Sequence, residues 1–205
     1  LPLTNEIIAP LPCFGNVSFY RHLLLDDVIV DLHEHYVKQS LRNRYELCGA
    51  QGRFHLGVPV LSQGGKKLTS SQIRVSNDEQ WMRQHWRSIR TNYSSAPFFD
   101  HYADQFEALY CKEFDLLVDF CANAHDLICD ILNLPNLSWE KGLRFSEEYI
   151  QSTPGVDLRR PTKEGTGRTK PYIQVFSDRH DFQSDLSVID VIMCCGPEAS
   201  SIIKS

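Results

Sequence analysis

The spacing of apolar residues along this chain changes period from segment to segment, and the opening segments are the easiest to assign. Glu6-Ile7-Ile8-Ala9 is short and apolar, Pro10-Leu11-Pro12-Cys13-Phe14-Gly15 is turn-rich, and Val17 to Leu25 has helix-like spacing. Asp27-Val28-Ile29-Val30-Asp31-Leu32-His33 then carries the β-branched density of a buried strand. Strand, loop, helix and strand in that order predict a right-handed βαβ unit with parallel strands, whose first loop lies on the ligand-facing edge. Further on, Phe54 to Val60 and Ser71 to Val75 predict a hairpin or edge pair across a Gly-Gly loop.

From Asn77 the period becomes helical. Asp78 is positioned to cap a helix in which Trp81, His85 and Ile89 recur every four residues, sharing a face with Ser88. Phe98 to Leu109 follows the Pro97 break, and Glu113 to Leu132 reads as a long helix with Leu116, Leu117, Phe120, Ala124, Leu127, Ile128 and Ile131 on its apolar stripe. Leu143-Arg144-Phe145 predicts a brief return strand, 152–171 a mobile loop, and Tyr172 to Phe176 a strand. An apolar helix from Ser187 to Cys195 closes the pattern, capped by Ser184 or Asp185 and ended by Gly196-Pro197. The expected class is therefore α/β: a mixed or parallel sheet opened by a βαβ unit, with a packed helical subdomain at 77–135, in a single domain over residues 1–205.

Composition narrows the function. A net charge of −5 excludes a general nucleic-acid binder, which needs a broad basic face, while leaving room for a local basic pocket. The apolar runs are too short for a membrane span, and Leu1 to Asn5 carry neither a basic nor a long apolar leader segment, so a cytoplasmic setting is expected. Seven cysteines without a CxxC pair favour reduced thiols there. Cys121, Cys129, Cys194 and Cys195 lie in apolar stretches as packing residues, and Cys13, in the first loop, is either a reactive thiol or another packing residue.

The candidate chemistry centres on Lys38-Gln39-Ser40-Leu41-Arg42-Asn43-Arg44, three cations and two amides shortly after the second predicted strand. Ligands of α/β proteins collect beyond the carboxyl ends of such strands, so Lys38, Arg42 and Arg44 would meet phosphate or carboxylate while Gln39 and Asn43 orient it. The other reading is a solvated turn bearing surface cations. His85 is the best-placed imidazole for proton transfer, or else a satisfied core histidine beside Trp81. His33 and His35 are either part of a metal site lacking its third ligand or a hydrogen-bonded surface pair. Asp157-Leu158-Arg159-Arg160 offers a lid over an anion, or an idle loop. No P-loop, GxGxxG or GxSxG motif is present, and no cofactor is specified by the chain.

Taken in order, Lys38-Gln39-Ser40-x-Arg42-Asn43-Arg44, Val58-Pro59-Val60, His85-Trp86-Arg87-Ser88-Ile89 and Ala96-Pro97-Phe98-Phe99 with Tyr102 resemble the WbqC-like protein family. Tyr172-x-Gln174-Val175-Phe176, Leu186-Ser187-x-Ile189-Asp190 and Gly196-Pro197-Glu198 are similar to that family's ending. The first loop, Ala9-Pro10-Leu11-Pro12-Cys13-Phe14, departs from the Gln-Pro-x-Tyr-Leu-Pro-like segment of many members. The resemblance implies an association with bacterial O-antigen and surface-polysaccharide gene clusters, where glycine transfer has been suggested. The reading that joins residues and resemblance is an acyl or aminoacyl transferase acting on an activated or lipid-linked sugar. In it Lys38, Gln39, Arg42, Asn43, Arg44, Arg159 and Gln174 bind an anionic small molecule such as a nucleotide or sugar phosphate, and His85 moves the proton. A noncatalytic binding module for a phosphorylated sugar or a partner enzyme is the alternative. A nucleotidyltransferase is a third, on a loose likeness of the opening βαβ in which His22 sits in the helix but the paired HxGH residues are absent.

Overall fold

In the computed structural model, residues 6–62, 64–78, 80–134, 156–159 and 169–205 are described. The chain is mixed α/β with two small sheets, one parallel and one antiparallel. Strands β1 (Glu6–Ala9) and β2 (Asp27–Val30) pair in parallel, Glu6 opposite Asp27 and Ala9 opposite Val30, and helix α1 (Val17–Leu25) lies between them in sequence. On the other side of β1, the two-residue strand β5 (Val156–Asp157) pairs Val156 with Ile7 and Asp157 with Ile8, giving the order β2-β1-β5. Ile7, Ile8 and Ala9 are buried, as expected of a central parallel strand covered on both faces. Within the stretch 152–171, Val156 and Asp157 thus form a strand. Leu143-Arg144-Phe145 and Arg160 lie outside the described residues.

The second sheet corrects one expectation. Strand β4 (Gly52–Gly57) pairs with β3 (Arg44–Gly49), upstream of it, and Ser71 to Val75 contributes isolated bridges only, Val75 to Val60 and Arg74 to Leu116. Arg44, Tyr45, Glu46 and Leu47 alternate in exposure, so the last residue of the basic segment opens a strand. The tight turn at Ala50-Gln51 then fixes the register, with Gly52 at φ +95° where a side chain would be strained.

Helices α2 (Trp81–Tyr93) and α3 (Phe99–Tyr110) meet β3 through His85, Tyr93 and Tyr110, and α4 (Leu117–Leu132) packs against α3 and, through Phe120, against Trp81 of α2, each helix with an apolar face buried. Capping differs from expectation at two helices. Asp78 accepts from Ser76 Oγ at 3.3 Å, and α2 begins after Gln80 without a side-chain cap. Helix α5 (Val188–Cys195) is capped by Ser187, and α6 (Ala199–Lys204) follows it. Asp185 turns instead to α1: its Oδ1 accepts from Ser18 N at 2.9 Å and its Oδ2 from Asn16 Nδ2 at 2.7 Å.

Tyr172 to Phe176 is not a strand. Side chains fix it in place of a ladder: the Tyr172 hydroxyl donates to Asp190 Oδ1 at 2.7 Å, Gln174 Nε2 to the same oxygen at 3.0 Å, and Gln183 N to Gln174 Oε1 at 2.9 Å. Between the two anchors Ile173 is left 83% exposed.

The core is aromatic. Phe14, in the first loop, takes a left-handed backbone (φ 47°), and its buried ring lies 5.1 Å from Tyr45 and 5.9 Å from Phe120. A bulky residue holds that conformation only where its surroundings over-determine it, and here packing from β3 and α4 does so. Among the described residues no helix is long and apolar enough to cross a membrane.

Candidate functional site

Beyond the carboxyl ends of β1, β2 and β5 the chain assembles a network of charges. Asp31, one residue past β2, donates its N–H to Ala9 O at 2.9 Å and turns the backbone with its own carboxylate. Its Oδ1 accepts from His33 N at 2.8 Å and Glu34 N at 3.1 Å, the local turn that Asp favours. Its Oδ2 accepts from Arg159 Nη1 at 2.8 Å. The turn delivers Glu34 to Arg42, which donates through Nε at 2.6 Å and Nη2 at 2.5 Å in a two-pronged pair. Arg42 also donates to Ser40 Oγ at 3.0 Å and to the Arg159 backbone carbonyl at 2.8 Å. Arg159 completes the network with two bonds to Asp157, at 2.8 and 2.9 Å.

The electrostatics follow from burial. The Arg42 and Glu34 side chains are 3% and 8% exposed. Burial pushes the Glu34 carboxyl up, and Arg42 pulls it back. The hydrogen bonds that Arg159 donates to Asp157 and Asp31 raise its pKa, against partial burial. Three carboxylates and two guanidinium groups therefore meet here, and both Arg forks are engaged within the protein.

The candidate residues do not all gather in one place. Arg42 and Arg159 come together in the network. Lys38 and Gln39 are exposed in the loop just before Ser40, Gln39 with a left-handed backbone (φ 57°), and Arg44 is half-buried at the start of β3. Asn43 is buried, its Nδ2 donating to Val58 O at 3.2 Å and its Oδ1 without a partner. Gln174 is held elsewhere, by Asp190 and by Gln183, whose carbonyl accepts from its Nε2 at 3.0 Å.

His85 sits in the aromatic core, 5.0 Å from the Trp81 ring, with its Nδ1 2.9 Å from the Tyr45 hydroxyl, which is 2.7 Å from that of Tyr110. Burial lowers its pKa to about 4, so it is neutral at pH 7. This has a sign for stability. A folded-state value below the unfolded one means that the unfolded chain binds the extra proton, so stability is complete above about 6.5 and falls as pH drops toward about 4. The expected loss is about 3 kcal/mol across that window. Urea unfolding at both pH limits, with His85→Phe as the control that flattens the slope, measures it.

Cys13 is fully buried and burial raises its thiol well above the ordinary range, which removes the reactive reading. His33 and His35 are exposed, and among the described residues no group of three or more His, Cys, Asp or Glu is placed to hold a metal ion.

Asp31 and Glu34 were missed as site residues. The signal for Asp31 was its place at the end of a β-branched run, where an Asp turns the chain through its own carboxylate. Glu34 gave no signal beyond lying between two histidines, since its partner is eight residues on across a turn.

The family model for the WbqC-like protein family matches residues 12–154. The chain belongs to that family. The matched span holds Asp31, Glu34, Lys38, Arg42, Asn43, Arg44 and His85, while Arg159 and Gln174 lie beyond it. This WbqC-like chain is also 31% identical over 89 residues to the uncharacterized protein Rv1507c of Mycobacterium tuberculosis (strain ATCC 25618 / H37Rv), covering 43% of this chain and 38% of that relative. It therefore spans well under half the length of the curated relative it matches. No solved structure matches.

Proposed function

We propose that this WbqC-like protein is a cytoplasmic transferase of surface-polysaccharide biosynthesis. It moves an acyl or aminoacyl group, glycine in one form, onto a sugar carried by a nucleotide or lipid phosphate. The observation that supports this reading is the convergence of residues 31–34, 40–42 and 157–159 on one charged edge at the carboxyl ends of three parallel strands. Because the Arg42 and Arg159 forks are occupied internally, they shape the loops and set the local field. Direct contact with the anionic part of the ligand then falls to Lys38 and Arg44, with Gln39 and Asn43 orienting it, Gln174 holding its own segment in place, and His85, neutral at pH 7, accepting the proton.

One observation favours the noncatalytic alternative, a binding module for a phosphorylated sugar. His85 is sealed in the core against Tyr45 and bonds no member of the Arg42 network. The nucleotidyltransferase reading loses ground for a separate reason. The N-terminus of α1, where that class of fold receives phosphate, is filled by the Asp185 carboxylate.

A thermal-shift screen of nucleotide sugars, sugar phosphates and aminoacyl donors, run on wild type and Lys38→Ala/Arg44→Ala, tests the site. A ligand at a hundred times its Kd adds about 2.7 kcal/mol, which for a chain this size raises Tm by roughly 5–10 °C. That shift is expected in wild type and absent in the double variant. Product detected by mass spectrometry with the same ligand, and lost in His85→Gln, supports turnover; binding without product leaves the module reading. A wild type that no ligand stabilises overturns the proposed site.

A further inference from the structure

The outer faces of α2 and α3 carry opposite charge in the same spacing. On α2, Arg83, Arg87 and Arg90 are exposed at i, i+4 and i+7, opposite the buried face of Trp81, His85, Ile89 and Tyr93. On α3, Asp100, Asp104 and Glu107 are exposed at i, i+4 and i+7, opposite Phe99, Tyr102, Phe106 and Tyr110. Each stripe spans about 10 Å along its helix. The two helices are joined by a short turn and pack together, with the Trp86 indole N–H donating to Glu107 Oε1 at 3.0 Å. Among the described residues none of these six side chains is in an ion pair, and the ion pairs found there lie elsewhere.

Adjacent stripes of opposite sign are unsuited to a uniformly charged partner. An anionic membrane or a nucleic-acid backbone drawn to the arginines would be repelled by the carboxylates beside them. The pattern is complementary to itself. A two-fold axis passing between the helices lays α2 of one copy over α3 of the other, and the same operation repeats the contact on the second side. We propose that the paired stripes of α2 and α3 form a docking face for a second copy of this chain, in which Arg83, Arg87 and Arg90 of each protomer meet Asp100, Asp104 and Glu107 of the other.

Among the described residues no large exposed hydrophobic lies on either helix, so the association is electrostatic, weak and salt-labile. Its six inter-protomer pairs, three at each of the two crossings, are each worth only what an exposed pair contributes, and together they shift the dimer constant about 100-fold. Sedimentation velocity at low and high sodium chloride (about 20 and 500 mM, either side of the screening range) reads this directly. Wild type is expected to dimerise at low salt and dissociate at high salt. Arg83→Glu/Arg87→Glu/Arg90→Glu and Asp100→Lys/Asp104→Lys/Glu107→Lys are each expected to be folded monomers by circular dichroism, and an equimolar mixture of the two is expected to form a heterodimer. A wild type that stays monomeric at low salt, a dimer insensitive to either reversal, or reversed variants that fail to pair with each other overturns the proposal.

Discussion

Arg42→Ala is expected to destabilise the folded chain by about 3–5 kcal/mol, the range for removing one partner of a buried ion pair. Arg42 and Glu34 are both more than nine-tenths buried, and the fork makes two bonds to the carboxylate. Alanine would leave Glu34 desolvated and unpaired, and would strip donors from Ser40 Oγ and the Arg159 carbonyl. Against a total stability on the order of 5–15 kcal/mol this is a large fraction, visible in urea unfolding as a fall in midpoint. A second signature follows from titration. Burial already raises Glu34, and without Arg42 it rises further, so the folded variant takes up a proton that the unfolded chain releases. The variant's deficit should therefore shrink as pH falls from 8 toward 5, and Glu34→Leu beside Arg42→Met should recover most of the loss. A deficit below about 1 kcal/mol with no coupling in the double-mutant cycle would show that the pair is solvated, and that the edge network is not the frame of the site.

The same pair marks the limit of what the sequence discloses. Local periodicity was enough to place β1, α1 and β2, the extent of α3 and the faces of α2 and α4, because those elements bury residues at the spacing their own geometry sets. It was enough to single out 38–44 as the place where charge gathers, and there Arg42 does enter the charged edge of the sheet. What it did not disclose is pairing across distance. Arg159 reaches Asp31 over 128 positions and Asp185 reaches Asn16 over 169, and nothing local distinguishes a fork that is occupied from one that is open. His85 shows a related ambiguity. Its four-residue recurrence with Trp81 and Ile89 signals a buried face, but the Tyr45 hydroxyl, brought by β3, and the Gly57 backbone, brought by β4, explain how an imidazole is satisfied there. Tyr172 to Phe176 misled because its in-out alternation is that of a strand, whereas its polar side chains supply the bonds that a neighbouring strand would otherwise make.

Those polar bonds converge on Asp190, where the second large effect is expected. Its carboxylate is fully buried, yet it accepts from Tyr93 at 2.7 Å, Tyr172 at 2.7 Å and Gln174 at 3.0 Å. Burial raises its pKa while these three donors lower it, and the Tyr93 hydroxyl in turn accepts from Cys48 N at 3.0 Å. One oxygen pair thus ties β3, α2, α5 and the 172–174 segment together. Asp190→Leu keeps the volume close but leaves three buried donors without an acceptor, each costing about 1–3 kcal/mol when stranded, and the combined loss is expected near 4 kcal/mol because the sites share one network. Asp190→Asn retains one acceptor oxygen and turns the other position into a donor facing a donor, so about 2 kcal/mol is expected. Tyr172→Phe removes a donor and leaves the carboxylate its other two, and should cost about 1 kcal/mol. The order Leu, then Asn, then Tyr172→Phe is the content of the prediction. It is read by urea unfolding, together with amide exchange in 172–183, which should speed up in both Asp190 variants before global unfolding does. If Asp190→Leu proves as stable as wild type, apolar contact alone holds the segment, and the shared Tyr172, Gln174 and Asp190 positions owe their arrangement to something other than this carboxylate.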